Sequence, residues 1–200
     1  MTMPFSQRHL DILTETVNIG VGRAASILND MLGSHVALHV PRLTVHDAAG
    51  LRAYLSRYAA ARLSSVQMPF TAPFAGVAAL VFPPESASQL VYILAGEEYD
   101  PAEMDAIRKE TLNEVGNIVL NGVMGSVGNM LDTRIDYAVP RYAESDLNGL
   151  ITASGAPVAA YIMAEATFEI QDHKIEGDVL LLFEVDSFDT LLKALDSLVS

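Results

Sequence analysis

The sequence predicts a mixed α/β (α+β) fold built as a pseudo-two-fold duplicated unit. We expect a mostly antiparallel sheet, helices packed on it, and two long helices that carry a polar motif. Three observations lead to this prediction. A set of polar residues with a proline occurs twice, the second copy 99 positions after the first. Helix-like and strand-like hydrophobic patterns follow both copies in the same order. The strand-like segments also come in adjacent pairs, as hairpins of antiparallel strands do.

The repeated set consists of two carboxylates, an amide and a proline. The first copy is Asp11, Glu15, Asn18 and Pro41, and the second copy is Glu110, Glu114, Asn117 and Pro140. A single Glu–Asn pair is common on helix surfaces and would indicate only a solvated polar face. Its duplication at a constant offset favours a different interpretation, namely two copies of one site.

The first half of the chain begins with a long amphipathic helix. Ser6 is a suitable N-cap, apolar residues recur at helical spacing as far as Leu32, and Gly33 occupies a C-cap position. The later elements predicted in this half are a strand at His35–Val40, a short helix near Asp47–Tyr58, strands at Leu63–Phe70 and Phe74–Phe82, and a helix at Glu85–Leu94.

The second half repeats this order. Its long helix is predicted to start with Asp100 as N-cap, Pro101 as first helical residue and Glu103 as capping-box partner. Glycines at three-residue spacing favour close packing of this helix against a neighbour, and they are Gly122, Gly125 and Gly128. The later elements predicted are a strand at Arg134–Val139, a short helix near Glu144–Ile151, strands at Val158–Ile170 and Ile175–Phe183, and a helix at Ser187–Leu198.

We expect a single domain, residues 1–200, made of two repeats at about residues 6–95 and 100–199. The link between the repeats is only a few residues long, which is too short for independent domains. The two repeats should superpose with Glu15 on Glu114 and Asn18 on Asn117.

Composition excludes several functional classes. The chain has no cysteine, so it has no disulfide, thiolate metal site or cysteine nucleophile. Twelve basic against 25 acidic residues give a net charge of −13, which disfavours nucleic-acid binding. The N-terminal segment lacks a signal-peptide pattern, and apolar runs such as Val179–Phe183 are too short to span a membrane. We therefore expect a cytoplasmic protein without membrane contact.

Helix geometry indicates what the repeated set offers. Residues 11, 15 and 18 are spaced i, i+4 and i+7, so their side chains line one helix face while the opposite, apolar face enters the core. The glutamate supplies a negative charge, and the asparagine amide can both donate and accept hydrogen bonds. An exposed pair of this kind can hold a water molecule and aim it, as phosphoryl hydrolysis requires.

The spaced pattern resembles the signature of the CheC/CheX/FliY phosphatases, which act on the phosphorylated chemotaxis response regulator CheY. The first copy matches the family pattern at all four positions. The second copy has Glu110 where the family has Asp or Ser. The resemblance covers essentially the whole chain, because the family's architecture is also duplicated.

The resemblance implies a hydrolase of two-component signalling with two sites. It assigns water orientation at the aspartyl phosphate to Asn18 and Asn117. It assigns docking, by pairing with a lysine of the partner, to Glu15 and Glu114. The supporting motif residues are Asp11, Glu110, Pro41 and Pro140. It further implies no cofactor of the protein's own, because Mg²⁺ is bound by the response regulator, and it makes the deamidase CheD a candidate second partner.

Two alternatives to the phosphatase stay open. A non-catalytic receiver-binding or adaptor module of a chemotaxis or flagellar-switch system would use the same helix faces without hydrolysis. Two Glu–Asn pairs favour the phosphatase, because docking alone does not require an amide. A flagellar-switch component of the FliY kind would carry a further C-terminal switch domain, for which we expect no room in a chain ending at Ser200.

Overall fold

The computed structural model describes residues 5–33, 35–40, 42–56, 62–71, 73–95, 104–145, 149, 158–170 and 173–199. Together these ranges contain five helices and one eight-stranded sheet. The elements are α1 (Gln7–Leu32), β1 (Val36–His39), β2 (Leu43–His46), α2 (Ala48–Leu55), β3 (Leu63–Thr71), β4 (Gly76–Phe82), α3 (Pro84–Ala95), α4 (Met104–Met130), β5 (Asp136–Tyr137), β6 (Arg141–Ser145), β7 (Val158–Ile170), β8 (His173–Glu184) and α5 (Val185–Val199).

Both predicted ends of α1 are confirmed. The Ser6 hydroxyl oxygen accepts a hydrogen bond from the His9 backbone N–H at 3.2 Å, which satisfies one of the free amides of the first turn. Gly33 closes the helix in the left-handed conformation at φ 58°, and its N–H donates to the Asn29 carbonyl. The apolar face is buried as predicted, through Leu13, Val17, Val21, Ala24 and Leu28.

The second long helix, α4, is also present and ends near its predicted boundary. Its predicted capping residues Asp100, Pro101 and Glu103 lie outside the described residues. Buried residues occupy a wide sector of this helix, because it packs against α1, α3 and the sheet.

The sheet is antiparallel at every pairing between described strands, as predicted. Its main order is β1-β7-β8-β4-β3-β5, with β2 also on β7 and β6 also on β3. The two predicted hairpins are β3–β4 and β7–β8, and they meet where β4 pairs with β8. At the centre of that pairing Ala79 lies opposite Leu180.

Each half of the chain supplies edge strands to the hairpin of the other half. From the first half, β1 and β2 pair with β7, and from the second half β5 and β6 pair with β3. The sheet is therefore completed only when both halves are present. Superposition of the two halves stays a prediction.

Two strands were missed, and one predicted helix starts in the wrong place. The sequence indicated one strand before each proline, whereas β2 and β6 continue on the same neighbouring strand beyond it. Glu144, predicted to begin a helix, lies in β6, and most of the remainder of that prediction lies outside the described residues. Proline lacks the N–H that a ladder needs, so Pro140 interrupts an edge strand without ending the sheet.

The core forms one layer on each face of the sheet. The larger layer lies between the sheet and α1, α3, α4 and α5, and the smaller one lies beneath α2. Residues of β4 alternate between them, with Ala78 and Leu80 in the larger layer and Val77 and Ala79 in the smaller. The face of the sheet that carries α1 and α4 thus holds both polar motifs.

The backbones of α1 and α4 come into direct contact at two glycines. A Cβ atom on Gly20 would lie 2.6 Å from the Cα of Val123, and one on Gly122 would lie 2.6 Å from the Gly20 carbonyl oxygen. The predicted close packing is therefore confirmed at Gly122. It is wrong at Gly125, which faces open space, and Gly128 approaches the Thr133 carbonyl of the following turn instead of another helix.

We expect Gly122→Ala to destabilise the protein, because the added methyl group must push the two helices apart. The expected loss in free energy of unfolding is about 1–3 kcal/mol, the usual cost of overpacking. Gly125→Ala on the same helix is the matched control, and it should gain up to about 1 kcal/mol from helix propensity. Urea denaturation of both variants measures the difference. Equal changes in the two would contradict the close helix contact.

Candidate functional site

The first copy of the motif lies on α1, and we call Asp11, Glu15 and Asn18 site one. The side chains of Asp11 and Glu15 are exposed, whereas Asn18 is half-buried. The junction between β1 and β2 runs beside them, which brings the end of the first edge strand to this helix face. The carboxylates are therefore open to a partner, while the amide lies deeper.

Asn18 is anchored by the backbone at this junction. Its Oδ1 accepts a hydrogen bond from the Val40 N–H at 3.3 Å. Val40 lies one residue beyond β1 and is only 2% exposed, so its N–H needs a partner within the protein. Among the described residues, the Asn18 Nδ2 has no hydrogen-bond partner. The amide is thus held by its oxygen and can still donate.

The carboxylates of site one border a surface cavity of about 400 Å³. Asp11 accepts a hydrogen bond from Gln7 Nε2 at 2.9 Å, one turn earlier on α1. Glu15 has no hydrogen-bond or ion-pair partner in the described ranges. Arg42 lines the same cavity from the other side. The cavity therefore presents both signs of charge.

The second copy lies on α4, and we call Glu110, Glu114 and Asn117 site two. The two glutamates are exposed and Asn117 is half-buried, the same distribution as in site one. Both glutamates border a cavity of about 590 Å³, whose apolar lining residues include Leu28 and Met31 of α1. Neither glutamate has an ion-pair partner within the described part of the chain.

Asn117 is held differently from Asn18. The Asn121 Nδ2, one turn later on α4, donates to both the backbone oxygen and the Oδ1 of Asn117 at 2.7 Å each. Val139, the counterpart of Val40, is 77% exposed. Its N–H makes no hydrogen bond to Asn117 in the described structure. The two amides are therefore restrained by different donors.

A polar chain ties the first turns of α4 to the sheet beneath site two. The Arg108 Nη2 donates to the hydroxyl oxygen of Ser64 at 3.1 Å, and Ser64 shares a hydrogen bond of 3.2 Å with Tyr142. The Tyr142 hydroxyl in turn donates to Glu144 at 2.7 Å. Burial, more than its polar neighbours, raises the pKa of Tyr142 above its usual value, so the phenol stays protonated as a donor.

Of the two motif prolines, Pro140 lies between β5 and β6 and is buried, while Pro41 lies outside the described residues. Pro140 interrupts an edge strand that runs along β3 and does not take part in its pairing. Because Pro140 is buried, it can support the local backbone but, unlike the exposed carboxylates, it is not open to a partner.

The structure corrects one expectation and adds two residues. Both asparagines were expected to be exposed, and both are half-buried, because each amide oxygen is enclosed by its donor. Those donors, the Val40 N–H and the Asn121 side chain, were not predicted from the sequence. A backbone N–H has no sequence signature, and only the position of Asn121 one turn after Asn117 pointed to it.

Within the described ranges, no three histidine or acidic side chains are grouped as a metal site would require. In the same ranges, every helix is too short or too polar to cross a membrane.

Two curated proteins are similar to this chain over nearly its whole length. CheC1 of Halobacterium salinarum is 22% identical over 94% of this chain and 96% of its own length. The CheY-P phosphatase CheC of Bacillus subtilis is 23% identical over 94% of each. No protein-family model matches the chain.

Solved structures share the fold. FliY of Thermotoga maritima superposes with a TM-score of 0.74 at 17% identity, covering 98% of this chain and 99% of its own. The CheX of a CheX–CheY–BeF₃–Mg²⁺ complex from Borrelia burgdorferi gives a TM-score of 0.54 at 18% identity, covering 86% of this chain and 99% of its own. The chain is thus similar to proteins of the CheC/CheX/FliY family in its duplicated Glu–Asn motif, in sequence over nearly its whole length and in fold.

Proposed function

We propose that this protein is a phosphatase that hydrolyses the aspartyl phosphate of a chemotaxis response regulator, CheY-P, by attack of an asparagine-oriented water. One observation carries the proposal. In each site a half-buried asparagine has its amide oxygen held by a donor while its nitrogen has no partner among the described residues. An exposed, unpaired glutamate lies three residues earlier on the same helix face. The similarity to CheC of Bacillus subtilis, a CheY-P phosphatase, supports the same reaction.

Hydrolysis at such a site depends on positioning. The Asn18 amide is fixed through Val40, so its Nδ2 and the remaining lone pair of Oδ1 can hold a water at a defined angle. The water oxygen forms a bond to phosphorus as the bond from phosphorus to the aspartyl oxygen breaks. The products are the free carboxylate and inorganic phosphate. Asn117 acts in the same way in site two.

We assign docking to Glu15 and Glu114. Both are exposed and lack an intramolecular partner in the described structure, so a lysine of the receiver can pair with either one without displacing another contact. An exposed ion pair contributes only about 0.2–1 kcal/mol. These glutamates therefore act on orientation and on recognition of the partner more than on affinity. Asp11, Glu110, Pro41 and Pro140 are supporting residues in this proposal.

The partner we propose is a phosphorylated CheY-like receiver domain, which brings its own Mg²⁺ as part of the substrate. The similarity to a CheX crystallised with CheY supports this choice of partner. CheD as a second partner and a cytoplasmic location remain predictions from the sequence.

A second function has one observation in its favour. The fold is also similar to that of FliM from a FliG–FliM complex of H. pylori, with a TM-score of 0.61 at 14% identity, and this similarity fits a binding adaptor that does not hydrolyse phosphate. The two functions differ in one measurable property. An adaptor binds a receiver activated with beryllium trifluoride and leaves the decay of the phosphorylated receiver unchanged, whereas a phosphatase accelerates that decay.

We expect Asn18→Ala combined with Asn117→Ala to abolish accelerated decay of a phosphorylated receiver, because neither site can then orient water. Receiver binding should persist, since both glutamates remain. Asn129→Ala is the matched control, an exposed asparagine of α4 outside both sites. A double variant with full activity would exclude the proposed role of the amides.

The two asparagines should differ in their effect on stability. Asn18→Ala leaves the buried Val40 N–H without its acceptor, at a cost of about 1–3 kcal/mol in free energy of unfolding. Asn117→Ala should cost less, because it only frees the half-buried Asn121 side chain. Asn18→Asp keeps an acceptor for Val40 and should restore most of the stability without restoring activity. Equal urea midpoints for the two alanine variants would contradict the anchoring by Val40.

We expect Asn18→Ala to reduce activity at least as much as Asn117→Ala. Site one has the complete signature, whereas site two carries Glu110, whose longer side chain can compete for the partner's basic group. The two single variants are compared on the same phosphorylated receiver well below saturation. The ranking is wrong if Asn117→Ala removes nearly all activity and Asn18→Ala almost none.

A further inference from the structure

Asn121 makes a contact that the repeated motif does not contain. Its Nδ2 donates two hydrogen bonds of 2.7 Å, one to the backbone oxygen and one to the Oδ1 of Asn117. A side-chain donor that bridges these two oxygens fixes the rotation of the Asn117 side chain relative to its own backbone. Asn121 itself is half-buried, so the bridge is partly shielded from water.

The other half of the chain has nothing comparable at this position. The residue 99 positions before Asn121 is Gly22, and a Cβ atom there would have no neighbour within 4 Å. Site one instead uses the N–H of Val40, which is buried at the end of β1. The corresponding Val139 points into solvent and makes no such bond in the described structure.

We propose that Asn121 is the positioning residue of site two, where it replaces the backbone donor that holds the amide in site one. This inference rests on the proposed function in assigning Asn117 to water orientation. Both arrangements have the same chemical outcome. The amide oxygen accepts from an internal donor, and the amide nitrogen, which has no partner among the described residues, can still donate to a water.

The chemistry of the bridge predicts different effects for two replacements. Asn121→Ala removes the donor and leaves the Asn117 side chain free to rotate. Asn121→Asp has nearly the same shape but presents only acceptor oxygens, so it repels the Asn117 oxygen and attracts its nitrogen. The aspartate variant should therefore turn the amide around, whereas the alanine variant only loosens it.

The positioning role of Asn121 is tested by measuring phosphatase activity in the Asn18→Ala protein, in which only site two is intact. We expect Asn121→Ala to lower kcat about tenfold and Asn121→Asp to lower it further, towards the ~100-fold typical of a misplaced catalytic group, with KM unchanged in both. Asn129→Asp adds the same charge to an exposed site about two turns further along α4 and should leave kcat unchanged. In the Asn117→Ala protein, which relies on site one, neither Asn121 replacement should have an effect.

A second measurement does not depend on catalysis. In the otherwise unchanged protein, NMR relaxation of the Asn117 side-chain amide should give a high order parameter. That value should fall in Asn121→Ala but not in Asn129→Ala. The proposed function is overturned if the unchanged protein does not accelerate decay of the phosphorylated receiver, and this order parameter would then still decide whether Asn121 holds the Asn117 side chain. The inference is overturned if the order parameter is unchanged in Asn121→Ala, or if Asn121→Asp is as active as its Asn18→Ala parent.

Discussion

The glycine contact between α1 and α4 is the constraint on which the placement of both sites depends. With Gly20 against the backbone of Gly122 and Val123, the two long helices pack closely enough to lie side by side on one face of the sheet. Each then directs most of its apolar residues towards the sheet and the other helix, and its polar stripe remains open to solvent. Larger residues at this crossing would separate the helices and shift the polar stripes relative to the strands that reach them.

The edge strands supply the second constraint, because the place where their pairing is interrupted decides which donor holds each asparagine side chain. Because β1 ends at His39 and pairing resumes only at Leu43, the Val40 N–H is released from the ladder and becomes a donor for Asn18. The equivalent interruption between β5 and β6 leaves Val139 facing solvent, and a side chain of α4 takes over that task. One motif is therefore completed by two different donors.

The sequence predicted what depends on local patterns. The ends of α1 follow from Ser6 and Gly33, and the central hairpins follow from long apolar runs, so both were predicted closely. By contrast, β2 and β6 are four and five residues long and pair with strands of the opposite half, about a hundred residues away. No local window contains that information. The glutamates and asparagines of the candidate sites were predicted because they repeat in the sequence. The donors that hold the two asparagines do not repeat, so they were missed.

The amide and the carboxylate of each site need different degrees of order, although both lie on one helix face. The structure meets both needs by half-burying the amide and leaving the carboxylate exposed. An amide that orients water has to be ordered before the partner binds. If its side chain rotated freely, the entropy lost in fixing it would add to the activation free energy of the reaction. A docking carboxylate benefits from mobility, because it must find a group on another protein. In site one the amide is ordered by the backbone, which has no rotamers of its own to restrain, and in site two by a side chain that does. The two sites thus offer a partner the same groups and differ in how firmly the amide is held.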